Sequence, residues 1–138
     1  MTYPPLACRA DPLSAARSLA VWDQPGAVRR GRGFVRESCT ELGFDETLCY
    51  TAALLTSETV TNALFHAGSC ACVTVTASGN GLLVEVEDEG QVMPHQPLAP
   101  DLEALGGRGL QIVEELATEW GSYPRGLGKV VWFHLAAA

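Results

Sequence analysis

The chain is short of charge, of aromatic side chains and, above all, of lysine. Of its 138 residues, 18% are charged and 7% are aromatic, and Lys129 is the only lysine. No run of about 18 apolar residues occurs, so no transmembrane helix is expected. The opening Met-Thr-Tyr-Pro-Pro-Leu-Ala lacks a basic stretch leading into an apolar core, so no secretory signal is expected and the cytoplasm is the default location. Basic residues are outnumbered, 9 to 16, for a net charge of −7. That balance argues against a nucleic-acid binder, which needs a basic footprint. No internal repeat and no low-complexity segment is found. What is present is a 47% hydrophobic fraction, ordinary for a folded chain and enough for one core. The expected organisation is a loose lead-in over residues 1–14 and a single domain over 15–138.

The charge is unevenly spread. Residues 1–36 carry six Arg and two Asp, whereas residues 37–138 carry three basic and fourteen acidic residues. A basic N-terminal patch on an acidic body suits an acidic protein partner, or is simply a solvated helix face. Five cysteines, Cys8, Cys39, Cys49, Cys70 and Cys72, with no secretion signal, read as free thiols in a reducing compartment. Cys70-Ala-Cys72 is not the C-x-x-C of common zinc sites, and no second cluster follows it.

Periodicity places a short strand at Leu19–Trp22, ended by Gln24-Pro25-Gly26, and then a helix to about Leu42. Val28, Val35, Cys39 and Leu42 share one stripe of that helix, flanked by Arg29, Arg32 and Arg36. Asp45 is a candidate N-cap for a second helix over about 46–67, closed by Gly68. Strands are expected at Cys72–Ala77 and Leu82–Asp88, joined by a Ser-Gly-Asn-Gly turn. Residues 91–106 hold three prolines and read as a long loop. A helix over Gly107–Trp120 and a last strand at Val130–Leu135 complete the pattern. Helices and strands segregate more than they alternate. The expected class is therefore α+β, a two-layer α/β sandwich whose mixed, mostly antiparallel sheet carries helices on one face.

Three features put polar groups where a core should be. On the second helix, Glu58, Asn62 and His66 recur at i, i+4 and i+8 and continue the stripe of Leu48, Thr51 and Leu55. A carboxylate and an amide facing inward cost several kcal/mol unless a ligand, a metal or an internal hydrogen-bond network satisfies them. In the strand 82–88, period two puts Asp88 on the same face as Leu82, Val84 and Val86, with Gly90 just beyond. An inward carboxylate beside a glycine suits a ligand offering hydrogen-bond donors, such as an exocyclic amine; a turn-forming Asp is the alternative. Gly106-Gly107-Arg108-Gly109-Leu110 at a helix start can turn backbone N–H groups toward an anion. It lacks the third glycine and the preceding strand of a dinucleotide fingerprint, and no Walker sequence occurs.

Ser57-Glu-Thr-Val-Thr-Asn-Ala63, Val86-Glu-Asp-Glu-Gly90, Gly107-Arg-Gly-Leu110 and Gly128-Lys-Val-Val-Trp-Phe133 appear in one chain in that order. Together they resemble the histidine-kinase-like ATPase superfamily, and within it the RsbW-like family of anti-sigma factors and serine/threonine protein kinases. The resemblance spans about residues 15–135. It implies a histidine-kinase-like ATPase fold with ATP and Mg²⁺ as cofactors. It implies Asn62 as the Mg²⁺ ligand, Glu58 as general base, Asp88 as acceptor of the adenine amino group and Gly90 as room for the ring. It further implies residues 91–106 as a lid, Gly107, Arg108, Gly109 and Leu110 as phosphate donors, and His66 near the phosphate end. The family often has a Thr in the last strand supporting the adenine-binding Asp. Here Lys129 or Val130 stands in that neighbourhood, and Lys129 is expected to be a solvated strand-edge residue rather than a phosphate ligand.

The function implied by the resemblance is an ATP-binding anti-sigma factor that phosphorylates an anti-anti-sigma protein. The alternative is a non-catalytic nucleotide-binding module that sequesters a partner. Its implied partners are ATP or ADP, a sigma factor and an anti-anti-sigma protein, with no nucleic acid and no membrane; a homodimer is the assembly the resemblance admits.

Overall fold

The computed structural model describes residues 16–67, 70–88, 113, 115–126 and 128–137. The elements run β1 (Arg17–Trp22), α1 (Ala27–Glu41), α2 (Glu46–Ala67), β2 (Cys70–Ser78), β3 (Gly81–Asp88), β4 (Glu119–Arg125) and β5 (Gly128–Ala136). The strands form one sheet in the order β1-β2-β3-β5-β4, and every neighbouring pair is antiparallel. The expected α+β sandwich is present, with a sheet that is antiparallel throughout its described strands. The first five predicted elements and the last strand lie within two residues of their predicted limits.

Local chemistry explains the joints. Gly26 takes a left-handed φ of 88° as the chain turns from β1 into α1. Asp45 caps α2, its Oδ1 accepting the Leu48 N–H at 2.8 Å, as the sequence indicates. Gly81 starts β3 hard against β5. A Cβ there would stand 2.3 Å from the Leu135 carbonyl oxygen, so any larger residue would push the strands apart.

Both helices cover the same face of the sheet. Val35 and Cys39 of α1 and Leu55 and Val60 of α2 pack on Val73, Val84, Val86 and Phe133, all of them fully buried. Each such apolar side chain contributes about 1.5–3 kcal/mol of burial. Alternation along the strands sends Glu85 and Glu87 to the opposite face. There Tyr123 Oη donates to Glu85 at 3.1 Å and Arg125 Nη1 donates to Glu87 at 3.1 Å.

Two expectations are corrected here. The helix read as far as Trp120 stops sooner: Ala117 N–H closes its last described turn on Val113 O at 2.8 Å, and the chain enters β4 at Glu119. Trp120 does pack against the core, but from a strand, and the outward Tyr123 and Arg125 are held by glutamates of β3. The second concerns sulfur. Cys39 and Cys49 are free thiols, but Cys72 is disulfide-bonded. Cys72 is buried on the face away from the helices and lies outside the main apolar cluster that holds Cys39. Among the described residues no group of His, Cys, Asp and Glu could hold a metal ion, and no helix is long and apolar enough to cross a membrane.

Candidate functional site

Helix α2 contains a run of polar residues, Thr56-Ser57-Glu58-Thr59, on a largely buried element. The hydroxyls satisfy themselves by reaching back one turn. Thr56 Oγ1 donates to Ala52 O at 2.8 Å, Ser57 Oγ to Ala53 O at 3.2 Å and Thr59 Oγ1 to Leu55 O at 3.0 Å. Asn62 does not. Its Nδ2 is buried and has no hydrogen-bond partner among the described residues. A buried amide donor left unpaired costs about 1–3 kcal/mol. Glu58, one turn earlier, is half-buried and makes no hydrogen bond or ion pair with a described residue.

The end of β3 holds the second group. Asp88 continues the inward row of Leu82, Val84 and Val86 and is 1% exposed. An isolated carboxylate at that depth would be prohibitively costly. It is matched across the ladder by Lys129, its direct partner in the β3–β5 register. Lys129 Nζ donates to Asp88 Oδ2 at 2.8 Å and to Oδ1 at 3.0 Å, and the lysine is 0% exposed. This overturns the expectation of a solvated edge lysine. β5 is an interior strand, between β3 and β4, and Lys129 shares the inward face of Phe133 and Leu135. Sequence reasoning therefore missed the partner of Asp88. Counting by twos backwards from Leu135 would have found it, by the same step that found Asp88.

The structure thus brings Asp88 and Lys129 together on the helix-covered face, under the helix that carries Glu58 and Asn62. Gly90, Gly107, Arg108, Gly109 and Leu110 and the lid at 91–106 lie outside the described residues, as does the side chain of His66. The arginine-flanked stripe of α1 is placed as expected, with Arg29, Arg32 and Arg36 exposed. Beside it, Asp23, Arg29, Arg32, Thr61, Leu64 and Phe65 line an open cavity of about 670 Å³. None of the four inward polar groups lines that cavity.

An antiparallel sheet covered on one face by two helices, with a carboxylate and an unpaired carboxamide turned into the layer between them, defines a ligand-binding sandwich domain. The sequence matches the family model of the histidine kinase-like ATPase domain over residues 21–135, and the chain belongs to that family. No curated protein sequence matches it. Among solved structures, one similar fold is that of the RsbU and RsbW domains of a Mycobacterium tuberculosis protein. It has a TM-score of 0.66 and 19% identity, with 88% of this chain and 32% of that one covered. The chain therefore spans about a third of that neighbour's length. A second is the SiaB–SiaC complex from Pseudomonas aeruginosa, at TM-score 0.64 and 9% identity, covering 86% of this chain and 88% of that one. The expected superfamily and its fold stand.

Proposed function

We propose that the chain is an ATP-binding regulatory domain of the anti-sigma type that transfers the γ-phosphoryl group of ATP to a serine or threonine of a small protein partner. The observation that carries this reading is the pairing of unsatisfied and inward polar groups: the buried, partnerless amide of Asn62 on α2 and the inward carboxylate of Asp88 at the end of β3. The Asn62 amide is explained if a phosphate oxygen completes it, and the depth of the Asp88–Lys129 pair is explained if the base joins it.

Asp88 would accept from the exocyclic amino group of adenine. Asn62 would hold Mg²⁺ through its carboxamide oxygen and give its N–H to a phosphate oxygen, and its buried, unpaired state fits that use. Bound Mg²⁺ would neutralise charge on the phosphates, the main requirement of phosphoryl transfer. Glu58, free of any described partner, would take the proton from the acceptor hydroxyl as the oxygen–phosphorus bond forms and ADP leaves. Gly107, Arg108, Gly109 and Leu110 would supply phosphate donors and His66 would stand near them, with Gly90 giving the ring room and residues 91–106 as the lid. The exposed Arg29, Arg32 and Arg36 on α1 would dock an acidic protein surface, a sigma factor or an anti-anti-sigma protein, from a cytoplasmic homodimer.

The two neighbouring structures support a protein partner, since one contains an RsbW domain and the other is a complex of two proteins. Two variants test the reading. Asn62→Ala should abolish the Mg²⁺ dependence of ATP binding, measured by calorimetry. Glu58→Ala should leave binding intact and lower transfer to a cognate partner by at least about 100-fold. Unchanged transfer would remove Glu58 from the mechanism and leave a non-catalytic nucleotide-binding module.

A further inference from the structure

The lysine beside Asp88 is a group that the resemblance does not account for. An ammonium carries three N–H donors. The contacts of Lys129 Nζ among the described residues are the two to Asp88, at 2.8 and 3.0 Å. They use two of its donors and leave a third, on the largest of the fully buried side chains in the protein. A buried charged donor left unfilled is costly in the same way as the Asn62 amide. The lysine and the carboxylate lie side by side across the strand pair, so the site presents an acceptor and a donor next to one another. The Watson–Crick edge of adenine presents the complement: an amino donor at C6 beside a ring-nitrogen acceptor at N1.

We propose that Lys129 is a base-reading residue, donating its third N–H to N1 of the adenine whose amino group Asp88 accepts. This rests on the nucleotide-binding reading above and adds to it a specificity determinant. Lys129 then has two tasks. It balances the Asp88 carboxylate at a depth where an unpaired charge would not be tolerated. It also checks the atom next to the amino group directly, from a buried position where an unmatched donor is most costly.

The test compares ATP with 1-deaza-ATP, in which N1 is replaced by a carbon carrying hydrogen, by calorimetric titration of the intact chain with Mg²⁺ present. The wild type should bind the analogue at least about tenfold more weakly than ATP, the scale of one hydrogen bond from a charged donor. Lys129→Met should bind ATP more weakly than the wild type and should not distinguish the two ligands. Equal affinity of the wild type for both would overturn the proposal while leaving the nucleotide site standing. Absence of ATP binding by the folded wild type would remove the nucleotide reading and this inference together. Should Lys129→Met fail to fold, the comparison of the two ligands on the wild type decides alone.

Discussion

Two sets of ion pairs tie β3 to the C-terminal hairpin, one on each face of the sheet. On the outer face Arg125 reaches Glu87 at 3.1 Å and Glu85 at 3.6 Å, with its guanidinium side chain 48% exposed. On the inner face Lys129 reaches Asp88 at 2.8 Å, with the side chains 1% and 0% exposed. The charges are alike and the strands adjacent, yet the physics differs. Water screens the outer set, holds its interaction near the usual 0–1 kcal/mol and makes either partner dispensable. The inner set has no such screen. Neither group survives there without the other, and hydrophobic residues of similar volume would be cheaper in stability. The costlier arrangement at the end of the sheet is what the proposed recognition of a nucleotide base accounts for.

The largest effect should come from breaking the inner pair. Lys129→Met leaves the Asp88 carboxylate buried and alone, and should lower stability by about 3–5 kcal/mol in urea unfolding. Replacing both, Lys129→Met with Asp88→Leu, should restore stability to within about 1 kcal/mol of wild type or exceed it. A double variant as unstable as the single one would mean that the lysine supports packing and not the carboxylate.

A second inner-face group sharpens the contrast with pH. Burial pushes the Cys39 thiol well above its ordinary range, and the neighbouring Cys49 adds to the shift. A raised pKa means that the folded state holds its proton longer than the unfolded state does. The stability it gives is whole below the unfolded thiol pKa of about 8.5 and is lost as pH rises beyond it, by about 1.4 kcal/mol per pH unit. Cys39→Ala should flatten that alkaline slope in thermal unfolding. An unaltered slope would show that the helix-covered face admits water at Cys39.

The smallest effect should come from the outer face. Arg125→Ala should cost under about 1 kcal/mol, and less still in 1 M salt, whereas the cost of Lys129→Met should hardly respond to salt. On that face Tyr123 is held above the ordinary phenol range, by burial first and by Glu85 second, with Arg125 opposing. Arg125→Ala should therefore raise the spectroscopic titration midpoint of Tyr123 further. A midpoint that falls would mean that the guanidinium does not act on the phenol.

The sheet and its helices were legible wherever one periodicity ran unbroken. The stripe of Val35 and Cys39 on α1, the Asp45 cap on α2 and the alternation through Leu82, Val84 and Val86 each follow a rule that tertiary packing then rewards. β4 was not legible, because Gly121 and Pro124 interrupt it and Trp120 happens to extend the helical stripe of Val113 and Leu116. Its strand character comes from its ladder with β5, from Glu119 opposite His134 to Arg125 opposite Gly128, and the stripe periodicity does not show that pairing. Asp88 and Asn62 stood out as inward polar residues. The local reading missed Lys129 because a lone lysine after a glycine looks solvated, and only the register with Asp88 shows otherwise.

The central claim is that the Asp88 end of β3 holds the base of a nucleotide. Its most direct test is calorimetric titration of Mg·ATP into the wild type and into Asp88→Asn, each shown folded by circular dichroism. The account predicts saturable binding by the wild type and about a tenfold to hundredfold loss in Asp88→Asn, the worth of a charge-assisted hydrogen bond at a buried site. A folded wild type that binds no nucleotide, or an Asp88→Asn variant that binds as tightly, would contradict it.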